Sequence, residues 1–126
     1  MIVQRKEPRS LLVFDWKTGQ QKTIGIDAKF SSMDPQQYGK WGVSNTISPA
    51  GSPRLATETL LIIDFTTGKQ REVIVPNEYH THRGIWLEHR NEVIFEPISN
   101  GSKRNAQTAY SILVVDLEAA KVRVVT

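Results

Sequence analysis

The chain has 126 residues, of which 39% are hydrophobic and none is cysteine, and its 16 basic and 13 acidic residues give a formal charge of +3. A chain of this size can form one hydrophobic core. The lack of cysteine excludes disulfides and thiolate metal sites, and so small a charge excess does not indicate nucleic-acid binding. No apolar run approaches the roughly 20 residues of a membrane-spanning helix, and the first residues lack the apolar core of a signal sequence, so we expect a cytoplasmic protein without a membrane partner.

Short strands separated by polar turns follow one another along the chain. The predicted strands and hairpins are 2–4, 11–24, 40–47, 60–75, 84–88, 92–95 and 112–126, and the predicted loops are 25–39, 48–54, 76–82 and 96–108. The first of these loops has room for one turn of helix near 34–38. No segment keeps the 3.6-residue period of an amphipathic helix, so the sequence predicts an all-β protein.

The hairpin over Leu60–Val75 shows the pattern most clearly. Its first strand is a short run of branched and aromatic apolar residues, which is typical of a buried strand. A turn follows, in which Gly68 supplies the positive φ that a tight connection needs. In the returning strand the period of two places Val73 and Val75 on one face and their neighbours on the other.

The same pattern occurs three times, and each copy has an aspartate at the end of its first strand. These residues are Asp15, Asp64 and Asp116, at intervals of about 50 residues. We expect each carboxylate to accept backbone N–H groups of its turn, and a shared structural role argues against a catalytic acid. A basic residue follows each aspartate seven positions later, on an outer strand where charge discourages edge-to-edge aggregation; these are Lys22, Arg71 and Arg123.

Two adjoining segments resemble the blades of TolB-like, WD-repeat-like β-propellers. Residues 47–56, ISPAGSPRLA, are similar to the strand and turn that open such a blade, and residues 60–69, LLIIDFTTGK, are similar to the strand that follows. Residues 86–95 occupy the corresponding place in the next unit. The resemblance implies antiparallel blades, and says little about activity because propellers host many functions.

The approximate repeat units are 1–25, 38–76 and 82–126, within a single domain, and at a period of about 50 residues they amount to two blades and a partial third. A closed propeller typically has four to eight blades, so the resemblance implies open sheet edges and uncovered apolar faces. Two chains that complete a ring of about six blades, a homo-dimer, would solve this. The alternatives are a fragment of a longer propeller, or a compact β-barrel or β-sandwich in which the repeat has no structural role.

The segment 78–86 contains the densest set of functional side chains and is predicted to be a loop that opens at one mouth of the assembly. Arg83 offers a planar fork for a carboxylate or phosphate, and aromatic side chains could stack on a base or sugar. Lys40 and Trp41 are predicted to hold the corresponding place in the middle unit. The predicted ligand-binding residues are Arg83, Trp86, His82, His80, Tyr79, Lys40 and Trp41. The alternative is that both tryptophans belong to the core between units and that Lys40 is solvated.

A metal site is the second use of this segment. His80 and His82 are two residues apart, and with Glu78 they could hold zinc or manganese. A third convincing ligand is missing, because His89 falls on a predicted turn. We therefore expect no cofactor, with a divalent metal as the alternative.

These patterns favour a non-enzymatic protein that binds a small anionic, nucleotide-like ligand or a protein partner. The alternative is a metal-dependent propeller lyase, or a fragment of one, that acts on acidic sugars. The sequence has no Gly-rich phosphate loop and no nucleophile elbow, so a nucleophilic hydrolase is not indicated.

Overall fold

The computed structural model describes residues 2–7, 10–27, 30, 35–45, 57–76, 78–97 and 111–126, without the side chains of residues 5–7 and 80. These residues form eleven strands, with a 3-10 turn at Glu88–Arg90, so the all-β prediction is confirmed. The strands are β1 (Ile2–Glu7), β2 (Ser10–Phe14), β3 (Gln21–Gly25), β4 (Gln36–Tyr38), β5 (Trp41–Asn45), β6 (Thr57–Asp64), β7 (Gln70–Pro76), β8 (Tyr79–Leu87), β9 (Glu92–Pro97), β10 (Ile112–Asp116) and β11 (Lys121–Val125). The turn-rich segment 48–54 and most of the excursion 96–108 lie outside this description. Within the described ranges there is no helix long and apolar enough to cross a membrane.

The strands make three antiparallel sheets in which sequence neighbours are also spatial neighbours. The first sheet has the order β1-β2-β3, the second β4-β5-β6-β7 and the third β8-β9-β10-β11. The three predicted hairpins are confirmed as the pairs β2–β3, β6–β7 and β10–β11. Antiparallel sheets of this kind occur in blades, barrels and sandwiches alike, so the propeller stays a prediction.

The second sheet lies between the other two and is buried on both faces. In strand β6, Leu60 and Ile62 belong to the core cluster shared with the third sheet. Leu61 and Ile63 alternate with them and belong to the cluster shared with the first sheet. All four are at most 4% exposed. A continuous apolar run is the pattern of a strand covered on both sides, and this part of the prediction is confirmed.

The aspartates that end the apolar strands have the predicted structural role. Asp15 Oδ1 accepts the Lys17 N–H at 3.0 Å, and Asp64 Oδ1 accepts the Thr66 N–H at 2.9 Å. In the third hairpin Asp116 Oδ1 accepts the N–H of Ala119, also at 2.9 Å. The first two turns also have the same backbone bonds, from Gly19 N–H to the Asp15 carbonyl and from Gly68 N–H to the Asp64 carbonyl, so these two hairpins share one turn geometry.

Two of the predicted loops are wrong in part. Residues Gln36–Tyr38 form strand β4 where a turn of helix was an option, and Tyr79 begins strand β8 inside the predicted loop 76–82. Tyr79 is buried, and its hydroxyl lies 2.6 Å from Ser111 Oγ. These largely polar segments form strands because pairing and burial, more than intrinsic preference, decide strand formation.

The third turn has the same left-handed residue as the others but without glycine. Gly19 and Gly68 have φ values of 75° and 81°, and Ala120, at the equivalent position, has φ 55°. A side chain with a Cβ is strained in this conformation by roughly 1–2 kcal/mol. The third hairpin therefore carries a local cost that the other two avoid.

We expect Ala120→Gly to raise the free energy of unfolding by about 0.5–1 kcal/mol, because relief of the strain exceeds the added entropy of the unfolded chain. Urea denaturation followed by circular dichroism measures the change. The neighbouring Ala119→Gly is the control, since Ala119 is exposed and is not among the residues with positive φ. It should lower stability, and an equal effect of both substitutions would contradict the strain.

Candidate functional site

Two clefts open between adjacent sheets at the end where the aspartate turns lie. The first cleft, between the first and second sheets, has a volume of about 480 Å³ and the second, between the second and third sheets, about 240 Å³. The first is lined by Val13, Asp15, Gln20, Gln21, Lys22, Phe65 and Thr66. The second is lined by Lys40, Trp41, Ile62, Asp64, Lys69, Arg71 and Glu118.

The two clefts are built from equivalent positions of the repeat. Counted from each aspartate, Val13 corresponds to Ile62, Gln20 to Lys69, and Lys22 to Arg71. On the facing sheet, Thr66 and Glu118 are each the second residue after the next aspartate. The repeat seen in the sequence is therefore a repeat of the contacts between sheets.

The same hydrogen bond links the sheets across both clefts. The Lys22 ammonium donates to the backbone carbonyl of Thr66, and the Arg71 guanidinium donates to the backbone carbonyl of Glu118. Bonds from a charged donor are stronger than bonds between neutral groups. From the sequence, these basic residues of the returning strands were expected to discourage aggregation at sheet edges. In the structure, Lys22 and Arg71 link each sheet to the next one.

The second cleft is the more basic of the two. Lys69 stands where the first cleft has the neutral Gln20, and Lys40 has no counterpart among the residues that line the first cleft. The Lys40 ammonium lies 3.5 Å from Asp64 Oδ2 and 4.7 Å from the centre of the Trp41 ring. With Arg71 the second cleft has three cations and only two carboxylates, so it is better suited than the first to an anion.

Trp41 forms a buried wall of the second cleft. Only 5% of the residue is exposed, and it belongs to the core cluster between the second and third sheets. Its Nε1 is buried, and the described residues provide no hydrogen-bond acceptor for it. A buried indole N–H usually finds a partner, so this donor distinguishes the second cleft from an ordinary part of the core.

Asp64 stays ionised in this setting. Burial has the largest single influence on the pKa of Asp64 and raises it. Hydrogen bonds from the Thr66 side chain and from the backbone N–H groups of Thr66 and Thr67, together with the charge of Lys40, outweigh burial. The pKa of Asp64 therefore lies below its ordinary value, and the carboxylate attracts the Lys40 ammonium that lies over the Trp41 ring.

The predicted ligand-binding residues do not form one cluster. Lys40 and Trp41 line the second cleft, whereas Tyr79 is a core residue near the opposite end of the third sheet, where it pairs with Pro97. Trp86 is partly buried, packs on the core, and has its ring centroid 6.1 Å from that of Tyr38.

The remaining candidates lie on strand β8. His82 and Arg83 are exposed, at the irregularity in the pairing with β9, and the side chain of His80 lies outside the described residues. The predicted correspondence between Lys40 and Arg83 is wrong. The carbonyls of Lys40 and Asn91 accept the equivalent N–H groups of Phe65 and Leu117, so Lys40 corresponds to Asn91.

Lys69, Arg71 and Glu118 line the second cleft, although the sequence did not predict them as residues of a site. The recurrence of a basic residue seven positions after each aspartate was the available signal for Arg71. Its acceptor lies 47 residues further along the chain, and such a partner is not visible until the sheets are stacked. For a metal, the described part of the chain has no group of three or more His, Cys, Asp or Glu residues placed to hold an ion.

We expect Asp64→Asn to lower the free energy of unfolding by about 1 kcal/mol at pH 7, since an ionised acceptor is lost. The pKa of Asp64 is lower in the folded than in the unfolded state, so its contribution is present above the unfolded value of about 3.9 and is lost as the pH falls through the folded value. The difference between the two proteins should therefore shrink below about pH 4. Denaturant titrations at several pH values measure it.

Asp15→Asn is the matched control, because Asp15 ends the equivalent strand and accepts the Lys17 N–H without lining the basic cleft. Its effect at pH 7 should be smaller than that of Asp64→Asn. A difference between wild type and Asp64→Asn that stays constant from pH 7 to pH 2 would contradict the assigned charge.

No protein-family model, curated protein or solved structure matches this chain. What the clefts can bind has to follow from their own side chains.

Proposed function

We propose that the protein is a non-enzymatic binding protein that takes a small anion, such as the phosphate of a nucleotide, in the second cleft. The single observation that carries this proposal is the charge difference between two clefts of equivalent construction. Lys69 replaces Gln20 and Lys40 is added, while Glu118 in the place of Thr66 adds one carboxylate, so the second cleft has one more positive charge than the first. The first cleft links its two sheets without these two lysines, so the contact between sheets does not require them.

The chemistry of the second cleft supports an oxyanion. Lysine provides a compact charge with rotatable donors, and arginine provides a planar fork that suits phosphate and carboxylate. Arg71 uses one guanidinium nitrogen for the Glu118 carbonyl, and a guanidinium has five N–H donors in all. Lys40 is about half exposed at its side chain, so it can turn from Asp64 to a bound anion.

The size of the cleft indicates which part of a ligand enters. A volume of about 240 Å³ is below the roughly 300–1,000 Å³ of sites that enclose a whole small molecule. We infer that a phosphate or carboxylate group occupies the cleft and that the rest of the ligand lies outside it. In this proposal the protein is part of a propeller-like assembly and works in the cytoplasm, as the sequence predicts.

The test is calorimetric titration of the purified protein with inorganic pyrophosphate, adenosine monophosphate and glucuronate at low ionic strength. We expect binding of at least one phosphate compound. Lys69→Gln and Lys40→Gln should each weaken it about fivefold, the effect of losing roughly 1 kcal/mol of charged contact, because each removes one donor from the cleft.

Lys17→Gln is the charge-matched control. Lys17 is an exposed lysine of the first aspartate turn and does not line the second cleft. Equal effects of all three substitutions, or no binding of any probe at millimolar concentration, would overturn the proposal. A melting temperature that rises with zinc or manganese, together with turnover of a uronate, would favour the lyase alternative.

A further inference from the structure

Each sheet has two faces that can be defined by chain direction. We call the face toward the preceding sheet the leading face and the face toward the following sheet the trailing face. The trailing face of the first sheet packs on the leading face of the second, and the trailing face of the second packs on the leading face of the third. One kind of interface is therefore formed twice within the chain.

The two ends of this stack present the two halves of the same interface without a partner sheet in the described residues. The leading face of the first sheet has Leu12 and Phe14, which alternate with the core residues Leu11 and Val13 and are incompletely buried. The trailing face of the third sheet has apolar residues on four adjacent strands. The incompletely buried ones are Ile85, Ile94, Ile112 and Val125, which are paired across the sheet or alternate with the core residues, whereas Val114 on the same face is already buried within the chain.

Trp16 is the clearest sign that the leading face of the first sheet lacks its cover. The residue after each aspartate is Trp16, Phe65 or Leu117. Phe65 and Leu117 are 0% exposed and belong to the clusters formed with the preceding sheet. Trp16, in the same position, is 62% exposed. A large aromatic residue at a site that is otherwise buried indicates a partner surface.

The third basic residue of the series makes no bond to a following sheet. Lys22 and Arg71 donate to the carbonyl of the second residue after the next aspartate. Arg123 is the third residue of this series, and its Nη1 lies 2.9 Å from Glu92 Oε2 of its own sheet. By the same rule its carbonyl acceptor would be that of Lys17, which follows Asp15 by two positions.

We propose that a second copy of this chain covers these faces, with the trailing face of the third sheet of each chain on the leading face of the first sheet of the other. A second copy is the partner that fits, because the leading face of the first sheet and the trailing face of the third are the two halves of an interface that the chain already makes twice. Two chains joined in this way close on themselves with six sheets. The inference is independent of the anion site, which lies between the second and third sheets of one chain.

The association can be tested by light scattering during size-exclusion chromatography of the full chain. Concentrations of about 5–100 μM cover the dissociation constants of specific complexes of micromolar affinity. We expect a dimer. Trp16→Asp and Ile85→Lys should each weaken association about 30-fold or more, as for a central residue of an interface. Ile74→Lys is the matched control, since Ile74 is 69% exposed on an outer strand, more than the 51% of Ile85, and it should stay dimeric.

Mixing the two disrupted variants distinguishes this arrangement from a dimer in which both chains use the same face. The Trp16→Asp chain keeps an intact third sheet and the Ile85→Lys chain keeps an intact first sheet, so the mixture should form mixed dimers through one interface. A dimer in which both chains use the same face would show no rescue. Circular dichroism and thermal melting establish that each variant is folded.

Cross-linking provides a measurement that does not depend on disrupted variants. The chain has no cysteine, so Lys17→Cys with Arg123→Cys introduces the only thiols. A short bis-maleimide should join this double variant into covalent dimers, and neither single variant should give them. A monomeric wild type at 100 μM, failure of the mixture to associate, or the absence of cross-linked dimers would each overturn the proposal.

Discussion

The structure depends on the burial of the second sheet on both of its faces. Strand β6 sends Leu60 and Ile62 to one side and Leu61 and Ile63 to the other. Because consecutive residues of a strand point in opposite directions, a single apolar run fastens the first and third sheets to the middle one. Neither outer sheet has such a partner on its far face within the described residues.

Each contact between sheets combines an apolar centre with a charged link at its end. The apolar part supplies most of the stabilisation, since it removes side chains such as Phe65 and Leu117 from water. The links from Lys22 and Arg71 to backbone carbonyls are directional, so they set how one sheet is placed on the next. The clefts lie beside these links, where the sheets diverge at their turns.

The repeat allows binding and structural roles to be separated within one molecule. Where both clefts have equivalent residues, as with the lysine or arginine seven positions after the aspartate, the role is structural. Where the second cleft differs, through Lys40, Trp41 and Lys69, the residues are candidates for function. The same comparison identifies Trp16, whose environment differs from those of Phe65 and Leu117 although its place in the hairpin is the same.

The sequence by itself determined the three hairpins and their turns, because their causes are local. Alternating and continuous apolar runs specify strands, and the recurring aspartate and glycine specify the turns. It also predicted Trp41 and Lys40 as ligand-binding residues. It placed them in one site with Arg83, because both segments were taken to precede equivalent strands of two units. The beginning of strand β8 was predicted to be a loop because its residues are polar. Thr81 is nevertheless buried, and its hydroxyl contacts Asn45 and Glu58 of the second sheet.

Only the tertiary structure decided which residues meet across the sheets. Arg71 and Glu118 are far apart in the chain and neither has a local pattern that refers to the other, so their contact follows from stacking alone. The exposure of Trp16 is likewise set by the lack of a preceding sheet in the described residues. A hairpin is specified by short-range preferences, whereas an interface between sheets depends on the shape and charge of two surfaces brought together.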